Sequence, residues 1–271
     1  MKLISKLLEF RNRVDYPLRQ LFRWRRGPTR VERSHDFDNY AFLDEPERTR
    51  ARQYEQRYLN DYHLEKLKQS LSAGNYYENI FYIHMLEEAF ALLKKELPDH
   101  IVCADIGTSH WFYVQSLWSF YTWFQNKEHR NVSLDGYEVD AFRIYSDYHS
   151  RFDHALTHVG ETPGIQFIPE DFNPIASHYD VITLFFPFVF ERDTLEWGLP
   201  SRLHNPEQLL QKTWNSIKPG GVLMIVNQGK EEHDAQLMMC KKLGLSPIIK
   251  QHIDPLLFKY DYDRYILGVI K

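Results

Sequence analysis

The stretch "VCADIGTSHWFYV", residues 102–114, joins an apolar run to an acid and a glycine turn. Ile101 to Ala104 read as a buried strand that ends at Asp105. Gly107 then supplies the turn where a strand hands over to a helix beside a ligand. Further glycines would let the backbone approach a bound group, but Ser109 and Trp111 stand in their places. Three readings of Trp111 are open: it fills the pocket, it swings sideways to wall it, or it turns into the core beside Tyr113 and Trp118.

Downstream, strand and helix patterns alternate. "HWFYVQSLWSFYTWF" reads as a helix, with Val114, Leu117, Tyr121 and Phe124 as its core face. "VSLDGYEVD" is a second strand, followed by a helix from Ala141 to about His158. "GIQFIPEDF" is a third strand, and "YDVITLFFPF" a fourth, apolar enough to be covered on both faces. The helix "PEQLLQKTWNSI" closes at "KPGG", where Gly220-Gly221 read as left-handed closure. "GVLMIVNQG" is a fifth strand and Glu231–Leu243 a helix. "SPIIKQHI" and "RYILGVIK" are joined only by "DPLLFKYDY", too short for a helical crossover, and so read as an antiparallel pair. This pattern predicts an α/β fold with a mostly parallel sheet between two helical layers.

Upstream, Leu3, Ile4, Leu7, Leu8 and Val14 fall near helical spacing, and Pro17 suits the first turn of a second short helix. Residues 27–45 read as a linker. A long helix is predicted from Pro46 to about Ser72, with Asp44 or Glu45 at its entrance, and another from Asn75 through Lys95. The expected organisation is a basic amphipathic segment and linker (1–45), a helical cover (46–98) and an α/β domain (99–271).

The 271 residues are 43% hydrophobic and 26% charged, as in an ordinary globular protein, and the net charge of −4 argues against nucleic acid as partner. That charge is unevenly placed. Residues 1–30 hold nine Lys/Arg against Glu9 and Asp15, or +7, which leaves −11 for the remainder. Either this segment lies on an anionic membrane surface, or its apolar face packs on the folded domain while its basic residues cover acidic surface. No signal peptide or membrane span fits the pattern. Cys103 and Cys240 lie in apolar runs without metal or disulfide spacing and read as buried thiols. The expected location is cytoplasmic, with a peripheral membrane contact through residues 1–30 only on the first of these two readings.

From about residue 76 onward the chain resembles the class I S-adenosylmethionine-dependent methyltransferases. "ADIGT" resembles their first-strand motif, "GYEVD" the second-strand motif, "PEDF" the acidic turn after strand three, and "IKPGGVLMIV" the turn and strand of the fifth motif. The resemblance implies a three-layer Rossmann-like methyltransferase fold. Its sheet is mostly parallel and seven-stranded with an antiparallel last strand, and here it carries a helical N-terminal extension. It also implies S-adenosylmethionine as cofactor, held by Asp105, Gly107, Ser109, Trp111, Glu138, Asp171 and Phe172. In that frame Glu138 accepts from the ribose diol, Asp171 from the adenine amine beside Phe172, and Asp105 lies near the methionine amine. The alternatives are local: Glu138 and Asp140 cap a helix at Ala141, and Asp171 is a turn residue before Asn173-Pro174.

Methyl transfer from a sulfonium needs a base only when the acceptor must lose a proton. His110, inside the first loop, is the leading candidate, ahead of Glu191, Asp193 and His204; no metal-ligand spacing is present. "LFFPF", residues 184–188, lacks the polar acceptor that adenine amino-methylation requires. The aromatic excess instead suggests a ring-lined pocket, with Tyr76 and Tyr77 in its cover. The expectation is a methyltransferase acting on a small or lipid-like acceptor through oxygen or nitrogen. The competing one is an inactive protein of that fold with a binding or assembly role. Aminopropyl transfer is disfavoured, because no pair of acids follows the fourth strand.

Overall fold

His100–Ile106 (β1) forms the centre of a seven-stranded sheet. The computed structural model describes residues 2–30, 38–125, 128–173 and 175–271, with side chains from residue 4 onward. Asn131–Tyr137 (β2) and Tyr179–Phe185 (β4) flank β1 in parallel, and Ile165–Ile168 (β3) lies parallel outside β2. Ile217–Gln228 (β5) is parallel to β4, and Arg264–Ile270 (β7) inserts antiparallel between β5 and Ile249–Ile253 (β6). The order is β3-β2-β1-β4-β5-β7-β6. β1 and β4 are almost wholly buried, which is why their sequences are continuous apolar runs rather than alternating ones.

The upstream helices are Lys2–Phe22 (α1), Glu45–Asp61 (α2), Glu65–Ser70 (α3) and Ala73–Leu93 (α4). Asp44 caps α2 by accepting from the Glu47 amide at 3.0 Å, as expected. The predicted helix to Ser72 breaks after Asp61, where His63 takes a left-handed φ of 53°. Ser72 rather than Asn75 caps α4. Pro17 sits inside α1 and does not divide it. Its ring is on the exposed side and its fixed φ suits a helix, so the lost hydrogen bond and the crowding at the Arg13 carbonyl fall where nothing packs. Residues 31–37 of the expected linker and Pro174 lie outside the described residues, as do the side chains of Lys2 and Leu3.

Two expected helices start late. The one after β1 is Val114–Trp123 (α5), not one beginning at His110, because Ser109 and Trp111 are left-handed at φ 55° and 49°. The one after β2 is Arg151–Val159 (α6), fixed by a capping box between Ser150 and Asp153. Residues 141–150 form an irregular turn, so no helix begins at Ala141. Glu191–Glu196 (α7) and a 3₁₀ turn at Ser201–Leu203 follow β4 and have no counterpart in the sequence reading. Pro206–Ser216 (α8) and Gly229–Lys242 (α9) match expected helices. Gly220 is left-handed, at φ 77°, but lies within β5 rather than closing α8. A Cβ on Gly221 would stand 2.7 Å from the Asp180 carbonyl oxygen, so close strand approach explains that glycine.

One core joins the upstream helices to the sheet: Tyr58, Ile80, Met85 and Phe90 belong to the same apolar cluster as Leu117, Met224 and Val226. Val114, Leu117, Tyr121 and Phe124 are buried in it, as expected.

Candidate functional site

A cavity of about 570 Å³ opens beyond the carboxyl ends of β1, β2 and β4. That edge is where an open α/β sheet ordinarily takes a ligand. One half is walled by the loops after β1, β2 and β3: Gly107, Thr108, Ser109, Glu138, Asp171 and Phe172. The other half is walled by α4, the ends of β4 and β5 and the start of β7: Glu78, Tyr82, Phe186, Gln228, Tyr260 and Arg264.

Gly107 holds φ 80°, a backbone state that suits glycine, and a Cβ there would meet nothing within 4 Å. Beside it, the Thr108 hydroxyl is buried without a partner among the described residues. A buried hydroxyl ordinarily finds one, so this oxygen, in a residue that lines the cavity, is left with unused donor and acceptor capacity. Glu138 is 3% exposed. Its carboxylate accepts from the Ser109 amide at 2.6 Å and the Asp140 amide at 2.8 Å, with the Arg151 guanidinium 3.7 Å away. Burial pushes its pKa up, while Arg151 and the two amides oppose that rise. A carboxylate has about four acceptor positions, so two amides leave it capacity for a diol. The helix-capping alternative for Glu138 falls with the absent helix. Asp140 is instead paired with Arg19 at 2.9 Å and with Arg151 at 3.4 Å.

Asp171 is exposed at the rim, 3.6 Å from the Lys212 ammonium. Phe172 is buried, edge-on to Tyr137 with ring centroids 5.0 Å apart. Asp105 and Trp111 are not on the wall. Asp105 is fully buried and accepts from the Trp111 indole Nε1 at 2.8 Å and the Thr183 hydroxyl at 2.6 Å. Burial raises its pKa to about 6 against hydrogen bonds from Thr183, Tyr113 and Trp111. Trp111 neither fills nor walls the cavity. Of the three readings, the structure adopts the core one, although the ring meets Phe167 rather than Trp118.

His110 lines the cavity, its ring stacked on Phe112 at 5.3 Å and its Nδ1 3.4 Å from the Tyr145 hydroxyl. Burial, with His154 and Arg151 nearby, lowers its pKa to about 4 and keeps it neutral at pH 7. His204 also lines the cavity and meets the Thr194 hydroxyl at 2.9 Å; Glu191 and Asp193 do not line it. Tyr76 and Tyr77 are packed behind the wall, where Tyr76 donates to Glu55 at 3.0 Å; the ring from that helix on the wall is Tyr82. Among the described residues no cluster could hold a metal ion.

Sequence reasoning missed Glu78, Tyr260 and Arg264. Tyr260 donates to the Glu78 carboxyl at 2.6 Å. The Arg264 guanidinium lies 3.7 Å over the Tyr260 ring and 4.6 Å over Phe186. Arg264 is 6% exposed, has no ion pair within 4.0 Å among the described residues, and leaves its Nε unpartnered. Phe186 itself holds a left-handed φ of 56°, a strained state for a bulky residue on a ligand-facing wall. No local motif links Glu78 to Tyr260 and Arg264, because α4 and the approach to β7 lie far apart in the sequence.

Parallel strands in this order, a reversed seventh strand between the fifth and sixth, and a cavity over the first two loops decide the architecture. The fold is that of the class I methyltransferases. No family profile matches the chain, and no curated protein does. Among solved structures it is similar to an S-adenosylmethionine-dependent methyltransferase from Aquifex aeolicus, at 14% identity over 70% of this chain and 96% of that one, TM-score 0.46. It is similar to a putative class I enzyme from Listeria monocytogenes at 14% identity, over 82% of this chain and 68% of that one, TM-score 0.49. A methyltransferase from Leishmania major is 10% identical over 87% of each chain, TM-score 0.46.

Proposed function

We propose that the protein transfers a methyl group from S-adenosylmethionine to a small or lipid-like acceptor, through oxygen or nitrogen. The observation that carries this is the first loop: a left-handed Gly107 and an unpartnered, buried Thr108 hydroxyl at the mouth of a cavity bordered by Glu138 and Asp171. These residues fit the cofactor. Glu138 would hold the ribose hydroxyls, Asp171 the adenine amine with Phe172 beneath, and the Thr108 and Ser109 hydroxyls the polar methionine end. Asp105 and Trp111 are not among the proposed contacts. Bound there, the cofactor supplies an already activated methyl on a sulfonium.

The chain's own task is then alignment and exclusion of water. Tyr82, Tyr113, Phe185 and Phe186 wall the acceptor half, and ring faces attract cations. His110 is neutral, with its Nδ1 3.4 Å from the Tyr145 hydroxyl, but burial makes it a weak base, which favours an acceptor that needs little help in losing a proton. Arg264 and the Glu78–Tyr260 pair give this half its polar contacts. Two buried thiols, Cys103 and Cys240, suit a cytoplasmic setting.

One observation favours the second reading, a binding or assembly protein of this fold. Asp105 is occupied by Trp111 and Thr183, and the Ser109 amide by Glu138. Incubation with methyl-labelled S-adenosylmethionine and fractionated small molecules and lipids separates the two. Label appearing in an organic product supports the enzyme. Cofactor binding without labelled product supports the binding protein.

A further inference from the structure

α1 is docked in reverse. A surface helix ordinarily turns apolar residues inward and polar ones to water. Here a mainly polar side makes the contacts, with Tyr16 buried and Leu8 half-buried among its polar residues. The Asn12 amide donates to the Leu195 and Leu199 carbonyls at 2.8 and 3.0 Å, and Gln20 donates to the Val139 carbonyl at 2.9 Å. Glu9 accepts from the Ser201 amide at 2.8 Å. Asn12 is 1% exposed. The opposite side bears Ile4, Leu7, Phe10, Val14, Leu18 and Leu21, a stripe at helical spacing that is between 44% and 75% exposed. Phe22 and Trp24 continue it, and the Trp24 indole donates to the Tyr148 carbonyl, bringing a further exposed ring beside the stripe. The apolar face therefore does not pack on the domain.

Around this stripe stand exposed cations: Lys6, Arg11, Arg13, Arg23 and Arg26. The segment's two acids are engaged, Glu9 with Ser201 and Arg13, and Asp15 with Arg11. A contiguous apolar patch with a basic rim marks an interaction surface. We propose that α1 lies in the plane of an anionic lipid surface, its apolar stripe below the headgroups and its cations among them. The +7 charge of residues 1–30 selects this occupant: an anionic surface complements it, whereas pairing with a second copy would bring like charge together. No helix among the described residues is long and apolar enough to cross a membrane, so the contact is peripheral. Val139 and Leu199, whose carbonyls hold α1, also line the cavity. α1 is thus anchored on the cavity wall; that lipid would then lie near a transfer site rests on the function proposed above, and the lipid contact itself does not.

The test is co-sedimentation of the full-length protein with phosphatidylcholine vesicles, with and without phosphatidylglycerol, with light scattering on the protein alone. Binding is expected only with phosphatidylglycerol, weakening as salt rises. Leu7→Asp with Leu21→Asp should lower partition by about tenfold or more, and Lys6→Gln by roughly fivefold. Both change exposed positions, so melting temperatures should match the parent. The proposal is overturned if the parent stays in solution with anionic vesicles, or if the variants partition equally. It is also overturned if the stripe mediates a dimer that the Asp variant dissociates while vesicles bind neither protein. None of these readouts depends on methyl transfer.

Discussion

The indole of Trp111 donates to the Asp105 carboxylate at 2.8 Å while its six-membered ring lies over Gly136. A Cβ on Gly136 would stand 2.4 Å from the ring carbon Cη2. Two left-handed residues, Ser109 and Trp111, turn the chain so that the largest side chain of the loop passes behind the cavity wall. The loop is thus held by its tryptophan.

Trp111→Ala should cost about 3–5 kcal/mol of stability, because a fully buried ring leaves a cavity. Trp111→Phe removes one donor from buried Asp105 and should cost about 1–3 kcal/mol. Gly136→Ala should destabilise by a similar amount through overpacking. Urea unfolding measures all three. An unchanged midpoint for Trp111→Ala, together with tighter S-adenosylhomocysteine binding, would show that the ring blocks the pocket.

Stability should fall as pH drops from about 6.5 toward 4. His110 and His158 have folded pKa values lowered to about 4 and about 3 by burial, so the unfolded state takes up their protons first. Asp105 has the opposite sign. Raised to about 6, its contribution favours the fold at low pH and is lost as pH rises through that value. His110→Gln should flatten the acid limb by roughly 1–3 kcal/mol, and Asp105→Asn should steepen it. Thermal melts at pH 4.5, 5.5 and 7 read both, and parallel curves for parent and variants would contradict the assignment.

Arg264→Gln tests the acceptor half. The residue lies across the cavity from Glu138, so S-adenosylhomocysteine affinity should change by less than about twofold while transfer falls by roughly tenfold or more. Tyr260→Phe should leave the Glu78 carboxyl without its 2.6 Å donor and lower stability by about 1–2 kcal/mol. A large loss of cofactor affinity in Arg264→Gln would place that residue in the wrong half.

The sheet was legible because buried parallel strands need continuous apolar runs, and β1, β4 and β5 supply them. The reversed end was legible from the short link before Arg264. The first and second helix starts were not. Left-handed φ at Ser109 and Trp111 follows from the Trp111–Asp105–Gly136 packing, which spans two strands and leaves no local signal. The nine irregular residues before Ser150 follow Asp140, which Arg19 and Arg151 hold, again a long-range arrangement. That Gly107, Glu138 and Asp171 border the cavity was legible because their loops carry motifs. Glu78 meets Tyr260 and Arg264 only in three dimensions.

Calorimetric titration of the full-length protein and Glu138→Gln with S-adenosylhomocysteine tests the central claim most directly. The cavity should bind it, and Glu138→Gln, with the melting temperature as control, should weaken binding by about 1.5–3 kcal/mol through loss of a charged acceptor. Absence of binding by the parent, or equal affinity in the folded variant, would contradict the account.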